Sequence, residues 1–207
     1  MRAAPLAFRR TLAPEDQVRA DLYAVLARLY ADTPDRQFLE ALGASERMAI
    51  DADNLLALSW NRLADASAAM DPEAAAQEYT DLFIGVGKCE VNLHASHWIT
   101  GFMIEKPLVE LRSDLVALKI SRQAGATMLE DHLSALCETM RMLVAGDGER
   151  PPASAEQQRN FLQKRLLFWA FDCCAAIGKS SLANYYCRVA ELTTQFLALE
   201  RDSLAID

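Results

Sequence analysis

The apolar positions of this chain recur at helical spacing. Val18, Leu22, Val25, Leu26 and Leu29 follow the i, i+4, i+7, i+8, i+11 rhythm of one helix face. Pro14 suits a first turn, where its missing N–H costs nothing. Thr33-Pro34 predicts a second, short helix capped by the threonine, and a third is expected over about residues 46 to 69. Asp71-Pro72-Glu73 combines a cap, a proline and an acid near the positive end of the helix dipole. The helix it opens carries Tyr79, Leu82 and Phe83 and should stop at Gly85 or Gly87, ahead of a loop over residues 85 to 96. Pro107 opens another helix ending near Gly125, and one more should cover about 129 to 144. Ser154 caps a long helix with Phe161, Leu162, Arg165, Leu166, Trp169 and Cys173 on one face, broken by Gly178. The last helix turns Leu182, Tyr185, Tyr186, Val189, Phe196 and Leu197 inward. No stretch shows strand-like alternation between turn signals, and no solenoid repeat is present. The expected fold class is all-α, a single bundle of about eight to ten helices.

Within that bundle, residues 1–12 read as a flexible arm and 13–145 as an N-terminal helical part bearing the candidate binding segments. Residues 146–153, with Gly146-Asp147-Gly148 and Pro151-Pro152, form the clearest linker. Residues 154–207 are expected to supply C-terminal helices that pack on the same bundle. The linker leaves two oligomeric states open, a monomer or a domain-swapped dimer. The arm holds Phe8-Arg9-Arg10-Thr11-Leu12, faintly like a twin-arginine export signal, but Pro14-Glu15-Asp16-Gln17 follows where an apolar run belongs.

Composition narrows the functional classes. A hydrophobic fraction of 52% in 207 residues allows a real core. The net charge of -8 disfavours nucleic acid, whose phosphates need a basic face. It suits a cationic peptide, without singling one out. Five cysteines, an odd number without framework spacing, argue against a disulfide scaffold. No segment reaches the roughly 20 apolar residues of a membrane span. A cytoplasmic protein without stable membrane insertion is expected.

Candidate chemistry is sparse. Gly178-Lys179-Ser180 resembles the end of a phosphate-binding loop, but Cys173 stands at the first glycine position and a helix, not a strand, precedes it. His94, His97 and Cys89 could approach a metal, yet no second cysteine pair or acid completes a familiar ligand set. The histidines form no Glu-x-x-His pair of the kind a di-metal bundle uses. Cys173 and Cys174 are adjacent and point apart, as core cysteines do. Glu130-Asp131-His132 is the most chemical-looking triplet. Helix neighbours do not face one another, and these residues alone favour capping over catalysis. No catalytic residue, metal or cofactor is assigned, and the chain is not expected to be an enzyme.

Several segments, in order, resemble the TorD/DmsD family of molybdoenzyme maturation chaperones. Glu78-Tyr79-Thr80-Asp81-Leu82-Phe83-Ile84-Gly85 is similar to a family helix that ends in an aromatic, two residues, Leu-Phe and a glycine. Ser96 and Trp98 fit a loop carrying a serine and an aromatic, although Val86 stands where the family has proline after the glycine. Met128-Leu129-Glu130-Asp131-His132 resembles a Glu-Pro-x-Asp-His signature, matching at Asp131 and His132 and departing at Met128 and Leu129. Phe161 to Trp169 resembles a helix with Phe, then His-Leu, then Trp, with Arg165 in the histidine position. Tyr185-Tyr186 through Leu192, Phe196 and Glu200 is similar to the family's C-terminal helix. The resemblance runs from about residue 14 to 200 and marks a divergent member.

That resemblance implies binding rather than catalysis. The implied partner is the catalytic subunit of a molybdopterin oxidoreductase, held by its twin-arginine signal peptide or by the body of the apo-subunit while its cofactor is inserted. Two guanidinium groups followed by an apolar stretch call for carboxylates beside an apolar groove. Asp131, with Glu130 and Glu105, is the candidate charge. Tyr79, Leu82, Phe83 and Trp98 are candidates for the groove, with Gly85 and Ser96 in the same matched segments and His132 expected to orient Asp131 or add a pH-sensitive contact. Tyr79, Leu82 and Phe83 read equally well as core, and Ser96 equally well as the cap of a helix starting near His97.

Overall fold

Local start signals set most of the helix boundaries. In the computed structural model, which describes residues 12–50, 54–123, 125–148 and 150–206, Pro14 begins α1 (Pro14–Ala31). Asp35 caps α2 (Arg36–Gly43), Asn54 caps α3 (Leu55–Ala69) and Asp71 caps α4 (Pro72–Tyr79). Ser154 and Gln157 form a reciprocal capping box ahead of α8 (Ala155–Phe161). Between these lie α5 (Ala95–Thr100), α6 (Lys106–Ala117) and α7 (Leu133–Ala145), and after them α9 (Ala170–Lys179) and α10 (Tyr186–Ile206). π-helical turns extend α4 over Thr80–Ile84 and α8 over Leu162–Leu167. The described residues thus form an all-α bundle of ten helices.

Several expected boundaries move. The second helix is capped by Asp35, with Thr33-Pro34 lying before the cap. The third starts at Leu55, because Asn61 binds both the N–H and the C=O of Met48 and holds residues 46–50 outside the helix. Leu182 is 46% exposed and precedes α10 rather than packing inside. Residues 1–11 of the expected arm lie outside the described residues, while Leu12 packs partly against the core.

The tightest helix pair is α1 with α7. Ser134 Oγ donates to the Ala27 carbonyl at one end (2.7 Å). At the other, Arg19 reaches Gln158, whose amide donates to the Ala153 carbonyl just beyond α7. The two helices therefore run antiparallel. Tyr23 and Phe196 meet edge to face at 4.7 Å, and Tyr30 Oη and Thr193 Oγ1 pair at 2.9 Å, joining α1 to α10. A buried charge cluster reinforces that junction: Glu200, 2% exposed, accepts from Arg19 and from Tyr23 Oη.

The start of α10 is capped from a distance. Glu78 accepts backbone N–H bonds from Asn184, Tyr185 and Tyr186 at 2.9, 3.0 and 2.7 Å. The linker is tied down as well. Arg150 donates to the carbonyls of Leu118 and Lys119 and pairs with Asp147, and Ala153 N–H donates to Leu143 O. A side chain at Gly146, where φ is +72°, would overlap the Arg150 carbonyl oxygen.

Candidate functional site

The residues expected to line a groove lie in the core. Tyr79, Leu82 and Phe83 are 5%, 0% and 9% exposed. Tyr79 Oη donates to the Tyr30 carbonyl, and the Phe83 ring packs edge to face on Tyr79, Tyr30 and Tyr186. Burial pushes the Tyr79 hydroxyl up to about 12. These aromatics hold α1, α4 and α10 together, so the reading as groove lining gives way to packing. Gly85 closes the π turn at φ +64°, where a Cβ would overlap the Lys88 carbonyl oxygen, so its role is to turn the chain.

The other expected residues do converge. The chain before α5 and the chain before α7 run side by side, with Ala95 N–H donating to Asp131 O and Leu133 N–H to Leu93 O at 2.9 and 2.8 Å. Asp131 Oδ2 accepts from the backbone N–H of Ser96 at 3.0 Å and from Ser96 Oγ at 2.6 Å. Asp131 is therefore the cap of α5, and Ser96 inside the helix is its donor, the reverse of the capping role expected for the serine. Asp131 is only 1% exposed, and its Oδ1 is buried with no hydrogen-bond partner among the described residues.

His132 does not orient Asp131. Its Nδ1 accepts from Ser134 N–H at 3.2 Å, so the ring caps α7 and carries its proton on Nε2. The His94 and His132 rings meet nearly perpendicular, 4.8 Å between centroids. Burial, then the neighbouring His94, pull His132 down to about 3. Burial also lowers His94, against the opposing charge of Asp131. Two neutral imidazoles thus lie beside a carboxylate. Glu130 stands at the rim in an ion pair with Arg112 at 2.9 Å. Burial raises its carboxyl, but that hydrogen bond and nearby charges leave it below the ordinary value.

Trp98 is half-buried and anchored by Nε1–H donating to Asn92 O at 2.7 Å. Beyond it, Ile99, Phe102, Met103 and Ile104 are 39%, 69%, 37% and 67% exposed. Ile104 takes φ +58°, a strained conformation for a β-branched residue. Asn92, His94 and this apolar loop lie beside the expected residues, with Asn92 Nδ2 3.7 Å from Met103 Sδ and the His94 ring against His132. The sequence carries one signal of the first two: Asn92 stands two residues before His94, and its Oδ1 accepts the His94 N–H in an Asx turn. Among the described residues, no group of His, Cys, Asp or Glu side chains is arranged to hold a metal ion.

Residues 50–175 match the family described as nitrate reductase delta subunit, a stretch containing Asn92, His94, Ser96, Asp131 and His132. The chain belongs to that family of TorD-like proteins. It is also 24% identical to the chaperone protein TorD of Shewanella loihica, across 92% of this chain and 95% of that protein. In this TorD-like chain the segment at Asp131 and His132 is a joint between two helix starts. Arg165, in the signature helix near Trp169, pairs with Asp114 on α6 at 2.6 Å.

Proposed function

We propose that this TorD-like chain is a cytoplasmic chaperone for the catalytic subunit of a molybdopterin oxidoreductase, binding its twin-arginine signal segment while the cofactor is inserted. The observation that carries this reading is Asp131, a carboxylate with one oxygen committed to Ser96 and the other buried without a partner among the described residues. An unmatched buried acceptor of negative charge costs about 1–3 kcal/mol or more, so a donor delivered from outside is favoured there. A guanidinium supplies that donor, with charge. Entry requires the α5–α7 joint to open, since Asp131 is 1% exposed. The exposed apolar side chains of Ile99, at the end of α5, and of Phe102, Met103 and Ile104, in the loop after it, suit the greasy stretch that follows the arginines. No helix among the described residues is long and apolar enough to cross a membrane, in keeping with a chaperone acting before export.

Co-purification tests this reading. The chaperone should retain a client signal carrying Arg-Arg and lose one carrying Lys-Lys. Equal, weak retention of both rejects recognition through the signal. A second reading follows from the exposure of Phe102 and Ile104: contact with the apolar body of an immature subunit, exported or not. Deleting the client's signal would then leave the complex intact.

A further inference from the structure

Asn92 is the residue on which the candidate site converges, and it makes a different contact with each of its polar groups. Its Oδ1 accepts from His94 N–H at 2.9 Å and faces His94 Nδ1 at 3.1 Å. Its backbone carbonyl accepts from Trp98 Nε1–H at 2.7 Å and faces the Cys173 thiol of α9 at 3.8 Å. Its Nδ2 lies 3.7 Å from Met103 Sδ in the apolar loop. The backbone donor identifies the side-chain atom near His94 as oxygen rather than nitrogen, and an amide oxygen only accepts. His94 Nδ1 must then carry a proton, and the neutral ring is left with a lone pair on Nε2. Among the described residues nothing donates to that lone pair.

His132 has the opposite tautomer, because its Nδ1 accepts from Ser134 N–H. The cluster therefore holds the Asp131 Oδ1 acceptor, buried without a partner among the described residues, and two rings 4.8 Å apart that present opposite Nε2 atoms, an acceptor on His94 and an N–H donor on His132. The charged and titratable groups facing His94 are Asp131 and His132 from the chain before α7, and His97 from α5. A guanidinium is a planar fork that can bridge two acceptors, whereas an ammonium is a compact point charge satisfied by the carboxylate alone.

We propose that Asn92 is a positioning residue that holds His94 in the tautomer with Nε2 as acceptor, and that His94 thereby selects an arginine-bearing client segment over a lysine-bearing one. This rests on the reading of the Asp131 cluster as the recognition point. The carboxylate supplies attraction to either cation, and the imidazole lone pair supplies the preference between them.

The test uses the full-length chain and two synthetic peptides, Arg-Arg and Lys-Lys, each followed by the same apolar run. Long-range proton–nitrogen NMR of labelled histidine reads the His94 tautomer, and calorimetry reads the two affinities. The wild-type chain should show His94 protonated at Nδ1 and prefer the Arg-Arg peptide by about tenfold or more. Asn92→Leu should mix the tautomers and shrink the preference to within about threefold. Asn92→Asp keeps an acceptor for Nδ1–H and preserves the fold, but its charge draws a second proton onto the ring. Its preference should persist near about pH 8 and vanish near about pH 6, where the cationic ring has no lone pair. A wild-type chain that binds both peptides alike overturns the reading of the cluster, and the selectivity assigned to His94 with it. A wild-type preference that survives both substitutions, or a His94 protonated at Nε2, overturns the role of Asn92 alone.

Discussion

Two buried carboxylates cap helix starts from remote positions in this chain, and they differ in what they leave unused. Glu78 takes three backbone N–H bonds from the start of α10, engaging both of its oxygens. Asp131 takes the Ser96 N–H and hydroxyl on one oxygen and leaves the other buried, with no partner among the described residues. Burying charge is tolerable when hydrogen bonds replace the lost water. The first joint meets that condition, and the second meets it by half. A carboxylate that is fully engaged is a structural joint; the function proposed above gives the remaining oxygen of Asp131 to a donor from outside.

The largest effect should come from breaking the closed joint. Glu78→Ala strands the N–H groups of the buried Tyr185 and Tyr186 and removes the partner of a third, Asn184, and should lower stability by about 3–5 kcal/mol in chemical denaturation, while refolded protein keeps its peptide preference. Asp131→Asn, at the open joint, retains an acceptor for Ser96. It should cost about 1–2 kcal/mol of stability while removing most client retention. If Asp131→Asn destabilises as strongly as Glu78→Ala and leaves binding unchanged, the contrast between the joints collapses.

Acid sharpens the same contrast, since only the open joint contains histidines. His132 titrates at about 3 in the folded chain, below its ordinary value of 6.5, so the unfolded chain binds the proton more readily. The stability tied to its neutral form is complete above pH 6.5 and drains away as pH falls from there toward about 3. The slope should reach up to about 1.4 kcal/mol per pH unit, and His132→Asn, which can still cap α7, should flatten it in thermal melts across that range. The smallest effect belongs to the rim. Arg112→Ala removes an ion pair with a solvent-exposed arginine and should change stability by less than about 1 kcal/mol in denaturant titrations.

Some helix starts follow caps that neighbour the helix in sequence, whereas Asp35 and Asn54, equally local, displace the starts expected at Thr33 and at about residue 46. Asp71-Pro72 and Ser154 act as their spacing implies. Errors arose where a side chain bonds out of register, as Asn61 does with Met48. The candidate site was legible at Ser96, Asp131 and His132, which do meet, and Glu130 sits beside them. At Tyr79, Leu82 and Phe83 the sequence leaves groove and core equally open, and the fold buries all three. Apolar residues at helical spacing mark a face that will be buried, and spacing is silent on whether the chain itself or a partner buries it.

Periodicity and local caps were enough to determine an all-helical bundle, because each helix is encoded within a few residues of itself. Only the tertiary structure decided which carboxylates cap which helices, since Glu78 and Asp131 find their donors far along the chain. The tautomers of His94 and His132 follow from partners two residues away, Asn92 and Ser134, whereas the meeting of the two rings exists only once the segments before α5 and α7 lie side by side.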